Sequence, residues 1–304
     1  MTVRERRELM GYFSLVGPAL LLYTLILAYP VVFSLGLSFT DYNPNVEGTG
    51  KFVGVSHYLR MVRDPLFWHA FKNNLIVVAV SVFGQIPIGF VLAYILYRKM
   101  IRSPRFFQSV IFLPQFLSTI VVGILWKRLF EADGPVARLI QWFTRDPSAQ
   151  FDYMLRPETV MYPIAFVLLW MYTGFYMVVF LANLQKLDAQ LIEAAKIDGA
   201  TEPQIFVKII MPLLSGTILV SSILAIAGSL KSFDLIFAIT DRGLTRQNAL
   251  VLSIYMYQVG FHNYDDPLRF AYGATIANSI IFISVGLILL ANFISRRFAS
   301  RGVE

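Results

Sequence analysis

"EAAKIDGATEPQIFVKIIMPL" occupies residues 193–213, between two long apolar runs. Asp188 precedes it as a helix N-cap, since its carboxylate can accept from the unpaired N–H groups of a first turn. The helix that follows reads "AQLIEAAKI", with Leu187, Leu191, Ala194 and Asp198 at helical spacing and Ala195 alongside. Gly199 stands where a left-handed residue ends such a helix at little cost. Thr201 caps a second helix, and Gln204 three residues on completes a capping-box pattern. Pro203 fits within the first turn. The stretch is therefore helix, glycine turn, helix, held at both ends by apolar segments. A rigid element meeting a soluble partner is one use of it, with Ala194 and Ala195 small enough for close approach. A helix lying on lipid headgroups is the other, and the mixed acid–base content fits that poorly, because lipid-bound faces favour Lys and Arg.

The flanking runs set the class. Hydrophobic residues make up 57% of the 304-residue chain, and the mean hydropathy is +0.62. The excess lies in six charge-free runs, roughly 11–40, 73–97, 106–126, 160–184, 209–230 and 270–294. Each is about 20 residues or longer, enough for the ~30 Å hydrocarbon core. The expected fold is all-α, a polytopic bundle of about six membrane helices forming one domain over 1–304. Orientation follows from Lys and Arg. The connections on the side of the termini carry 13 basic residues in 52 positions, and the other side carries 13 in 104. That density, with the cluster Arg98, Lys99, Arg102 and Arg105, predicts cytoplasmic termini and a cytoplasmic 187–212 segment. In the last outer connection "FDLIFAIT" and "ALVLSIYMYQVGF" are apolar but too short to cross. They read either as half-helices over a cavity or as surface helices packed on the bundle.

What is missing narrows the function. There is no cysteine, so no thiolate nucleophile or cysteine metal site is possible. The three histidines form no metal-ligand pair at helical spacing, and no metal site is expected. The net charge of +7 reflects membrane topology rather than nucleic-acid binding. "EGTGKF" at 47–52 lacks the first glycine and the Ser or Thr of a phosphate loop, so the chain is not expected to bind or hydrolyse ATP. The six runs hold no Asp, Glu, Lys, Arg or His, which counts against an ion-coupled carrier. They do hold Gln85, Gln108, Gln115, Asn183, Ser229 and Asn278, with Trp170, Tyr172, Phe175 and Tyr176 nearby. Amides beside aromatic faces suit a neutral polyhydroxylated ligand; polar side chains also glue membrane helices together.

The spaced residues Glu193-Ala194-Ala195, Gly199, Ile209 and Met211-Pro212 resemble the EAA loop of permease subunits in binding-protein-dependent ABC importers. Asp198-Gly199-Ala200 and Phe206 resemble the version in sugar permeases, and Met211 stands where the pattern has Leu. "GPALLLYTLILAYPVVFSLGLSFTDYN" is similar to the first span of maltose- and glycerol-3-phosphate-type permeases, of the first of the two paired subunits. "SFDLIFAIT" is similar to their segment after the fifth span, with Asp241-Arg242-Gly243 replacing the usual Gly-Gly-Pro. The resemblance implies a type I ABC importer permease fold in a bacterial or archaeal cell (inner) membrane. It implies a second homologous permease, two cytoplasmic ATPase subunits that bind ATP and Mg, and an extracytoplasmic solute-binding protein. Glu193, Ala194, Ala195, Asp198, Gly199 and Pro212 would couple to the ATPase, with Pro212 marking the rigid start of the fifth span. Trp170, Tyr172, Phe175 and Ser229 match the region of the solute path, and Asp241, Arg242 and Asp265 are the outer candidates for the binding protein. A self-sufficient secondary carrier is the competing expectation, and a membrane enzyme has no partner pattern around Asp265-Asp266 and His262 to support it.

Overall fold

The computed structural model describes residues 3–131, 133–146, 159–240, 247–263 and 266–301. Among these the regular structure is helical apart from one isolated bridge, Thr40 to Phe52. The elements are, in order, Ser14–Leu37 (α1), Ser56–Val62 (α2), Pro65–Tyr97 (α3), Pro104–Phe116 (α4), Thr119–Leu129 (α5) and Pro135–Thr144 (α6). They continue as Met161–Leu184 (α7), Ala189–Ile197 (α8), Glu202–Leu213 (α9), Ser215–Leu230 (α10), Asp234–Ile239 (α11), Leu252–Tyr257 (α12) and Arg269–Arg301 (α13). By length and hydropathy α1, α3, α7 and the Arg269–Ser295 part of α13 can each cross a membrane. The pairs α4–α5 and α9–α10 qualify only as bent spans, so the described residues hold four to six candidate crossings.

Two of the six expected spans are bent. The third is not a straight helix: α4 and α5 meet at 96°. Pro114 tightens the end of α4 into a 3₁₀ turn, and Leu117 and Ser118 are extended, which ends the helix. The fifth is likewise not a straight helix: α9 and α10 meet at 72° across Leu214.

Prolines shape the long helices in a regular way. Pro30, Pro87 and Pro212 each follow a wide π turn, at Thr24–Ala28, Ser81–Gln85 and Phe206–Ile210. Proline has no N–H to donate, and its ring clashes with the carbonyl four residues back. In all three cases that carbonyl belongs to the π turn, at Ile26, Phe83 and Lys208. Widening the helix there accommodates the ring without breaking the helix.

The chain forms two compact units. The first comprises residues 1–64 and 256–279. Asn43 donates to the Pro267 carbonyl at 2.7 Å, and Arg60 pairs with Asp266 at 2.6 Å. The Arg60 guanidinium lies 4.2 Å over the Tyr272 ring, whose hydroxyl donates to Asp64 at 2.6 Å. Asn278 donates to the Ser34 carbonyl at 3.0 Å, which fixes the start of α13 on α1. None of the residues of α1 is buried, as expected of a helix facing lipid or another chain.

The second unit comprises residues 65–255 and 280–304. Its axis is α7, which packs along α3 through Ile86, Phe90, Tyr94, Met177, Phe180 and Leu184. The approach is close because Gly89 is small: a Cβ there would meet the Met177 nitrogen at 2.9 Å; Gly174 in the same way admits α4, since a Cβ there would meet the Ile111 carbonyl oxygen at 2.4 Å. Small residues perform this role wherever membrane helices associate by packing alone.

Candidate functional site

A cavity of about 210 Å³ opens inside the second unit between α3, α7 and α10. Ser81 and Gln85 reach it from the π turn of α3, so the strain relieved ahead of Pro87 also aims two polar side chains. Leu168, Tyr172 and Tyr176 reach it from α7, four residues apart and hence on one helical face. Ser229 closes the side of α10, its hydroxyl donating to Ser81 at 2.9 Å. Thr119, at the first turn of α5, and Lys231, Ser232 and Asp234, at the junction of α10 and α11, complete the polar lining. Gln85 donates to the Leu168 carbonyl at 3.0 Å, which fixes its amide and leaves its carbonyl oxygen free of that bond. The "FDLIFAIT" piece is α11, and its first turn lines the cavity. The later piece packs on α3 instead: Asn74 accepts from the Leu252 N–H at 2.7 Å, and Asn73 donates to the Leu250 carbonyl at 2.8 Å.

A second feature is the α8–α9 hairpin. Asp188 caps α8 by accepting from the Gln190 N–H at 3.0 Å. Gly199 sits at φ +80°. Its N–H donates to Lys196 and the Ala200 N–H donates to Ala195, at 3.0 and 2.9 Å, which is the Schellman closure of a helix end. The Thr201 N–H donates to the Gln204 side chain at 2.8 Å, as the capping pattern requires. The Phe206 ring then packs at a tilt against Phe90 and Tyr94, with ring centroids 4.8 and 4.9 Å apart. At the start of α9 the Glu202 carboxylate accepts from Arg98 at 2.6 and 3.1 Å, from the Tyr94 hydroxyl at 2.5 Å, and pairs with Lys196 at 3.3 Å.

Comparison with known proteins gives this arrangement its context. Residues 85–301 match the binding-protein-dependent transport system inner membrane component family. The chain belongs to that family. A probable ABC transporter permease of Pyrococcus horikoshii is 30% identical over 90% of this chain and 91% of its own length. The lactose transport system permease LacF of Rhizobium radiobacter is 30% identical over 97% and 99%. A subunit of a bacterial ABC transporter that imports the acidic polysaccharide alginate superposes with a TM-score of 0.80 at 24% identity, covering 96% of both chains, and so shares the fold. The protein is a multi-pass ABC importer permease.

The permease brings Tyr172 and Ser229 together at the cavity and leaves Trp170 and Phe175 out of its lining. The reason is helical phase. Trp170 is two residues from Tyr172, so it points away and packs edge-on against Trp126, with centroids 5.6 Å apart. Phe175 packs instead at the margin of the α3–α7 core. Glu193, Ala194, Asp198, Gly199 and Pro212 are exposed, whereas Ala195 is turned inward against that core. Pro212 lies two residues before the bend at Leu214. Ile197 is 86% exposed on the same hairpin, and the pattern reading passed over it because it followed the EAA residues alone. Asp241, Arg242 and Asp265 lie outside the described residues.

Arg98 first, then Tyr94, holds the Glu202 carboxyl down at about 2, below its ordinary 4.5. A carboxylate with a depressed pKa stabilises the fold fully above the unfolded value, and that contribution is lost as pH falls through the folded one. The thermal midpoint of detergent-solubilised Glu202→Gln permease should therefore lie below that of the native chain near neutrality, the gap closing as pH drops from about 4.5 toward about 2. A gap that widened on acidification would contradict the assignment.

Proposed function

We propose that the permease forms the translocation path for a sugar or related carbohydrate and carries no catalytic centre of its own. It works with a second homologous permease, two cytoplasmic ATPase subunits that bind ATP and Mg, and an extracytoplasmic binding protein. Both termini are cytoplasmic in this reading, and residues 187–212 are the coupling helices. Glu193, Ala194, Asp198 and Gly199 offer the exposed face to the ATPase, Ala195 holds that face to the body, and Pro212 belongs to the joint before α10. The observation that carries the reading is the exposed α8–α9 hairpin, closed at Gly199 and projecting Ile197 into open space.

The cavity supports the substrate class. Two tyrosines, an amide, three serines, a threonine, a lysine and an aspartate supply donors and acceptors suited to hydroxyl groups. Its volume is below the ~300–1,000 Å³ of closed ligand pockets, which suits a narrow stretch of path better than a storage site. The lactose relative adds a carbohydrate precedent.

The test is uptake of labelled di- and oligosaccharides by proteoliposomes. The complete complex should accumulate solute only with ATP and the binding protein. The purified chain alone should accumulate none under a proton or sodium gradient. Accumulation by the chain alone would make it a secondary carrier and overturn the proposal.

A further inference from the structure

The Glu202 side chain ties three elements together. It opens α9, it receives two nitrogens of Arg98 at the end of α3, and it reaches Lys196 on α8. Arg98 is mostly covered, at 16% side-chain exposure, so the pair is only partly screened by solvent. The forked geometry constrains angle as well as distance, which a single point contact does not. Behind it the rings of Phe180, Phe90, Phe206 and Tyr94 form a continuous packed row from α7 through α3 to α9. On the other side of α9 the chain changes direction: a π turn, then Pro212, then a 72° bend at Leu214.

We infer that the Arg98–Glu202–Lys196 cluster is a clamp that makes α8, α9 and the end of α3 move as one body, so that force applied to the hairpin enters α3 and α7. α3 and α7 carry Ser81, Gln85, Tyr172 and Tyr176 to the cavity, so their displacement changes its lining directly. Arg98 and Glu202 are thus positioning residues for transport, and this rests on the coupling role proposed for the hairpin.

The experiment uses the reconstituted complex and compares Glu202→Gln, Arg98→Gln, Arg98→Lys and the double variant Arg98→Gln/Glu202→Gln. The readout is solute transported per ATP hydrolysed. Each single Gln variant should lower that ratio about fivefold or more, the low end of coupling between distant sites. Arg98→Lys should retain part of it, because charge survives without the fork. The double variant should fall no further than either single one, as expected of two residues acting through one contact. A wild-type ratio in both single variants, a parallel fall of transport and hydrolysis, or additive losses would each overturn the inference. Co-purification of the ATPase with Glu202→Gln permease tests the docking role separately: loss of the ATPase from native complex on deleting α8, but not from this variant, keeps that role while the clamp stands or falls on the ratio.

Discussion

Gly174→Leu permease should insert into membranes and fail to hold its second unit together, with a loss of about 3 kcal/mol, the upper end of what overpacking costs. A Cβ at residue 174 would lie 2.4 Å from the Ile111 carbonyl oxygen, 2.9 Å from Phe112 Cα and 3.0 Å from the Ile111 carbonyl carbon. All three are backbone atoms of α4, so no side chain can turn aside to make room. The helix must move as a whole, and α7 is held on its other flank by Gly89 of α3, where a Cβ would also meet backbone. In lipid there is no hydrophobic gain from bringing helices together, so lost packing is not made up elsewhere. Gly286→Leu is the control, because none of the described residues lies within 4 Å of a Cβ there. Thermal midpoints in detergent should fall sharply for residue 174 and stay within a degree or so for residue 286. Equal midpoints would mean that α4 and α7 do not meet as described.

The parts of this architecture that were legible in the chain are the local ones. Asp188, Gly199 and the Thr201–Gln204 pair act on backbone groups two or three residues away, so their spacing is sufficient to place two helix ends and a turn. Helix length is legible too, since hydropathy averages over a whole span. Bends are not: Leu117, Ser118 and Leu214 look like any other residues of an apolar run, and their extended or turn conformations cost nothing in hydropathy. The cavity shows the same division. Tyr172 and Ser229 came out of composition and position, but so did Trp170 and Phe175, because composition does not say which face of α7 meets α3. The Arg98–Glu202 contact spans 104 positions, and Arg98 carries a simpler meaning as a topology signal, which conceals its partner.

That same local legibility makes Gly199 the sharpest place to test coupling. Its backbone is at φ +80°, a region that costs ordinary L-residues roughly 1–2 kcal/mol. Such a cost lowers the population of the closed turn by about 5–30-fold. Gly199→Ala should therefore reduce ATP-driven transport in the reconstituted complex by about that factor, and Gly199→Val, whose β-branch tolerates this region worst, by more. Asn adopts left-handed conformations readily, so Gly199→Asn should keep most of the activity if only the turn matters. None of the described residues lies within 4 Å of a Cβ at this position, so no clash with them can explain a loss in the Asn variant. A Gly199→Asn permease with the native thermal midpoint and lost transport would thus locate a close-fitting surface outside the chain, at the turn between α8 and α9. Native transport in the Val variant would instead show that the angle of this turn carries no force, and the coupling role of the hairpin would have to be given up.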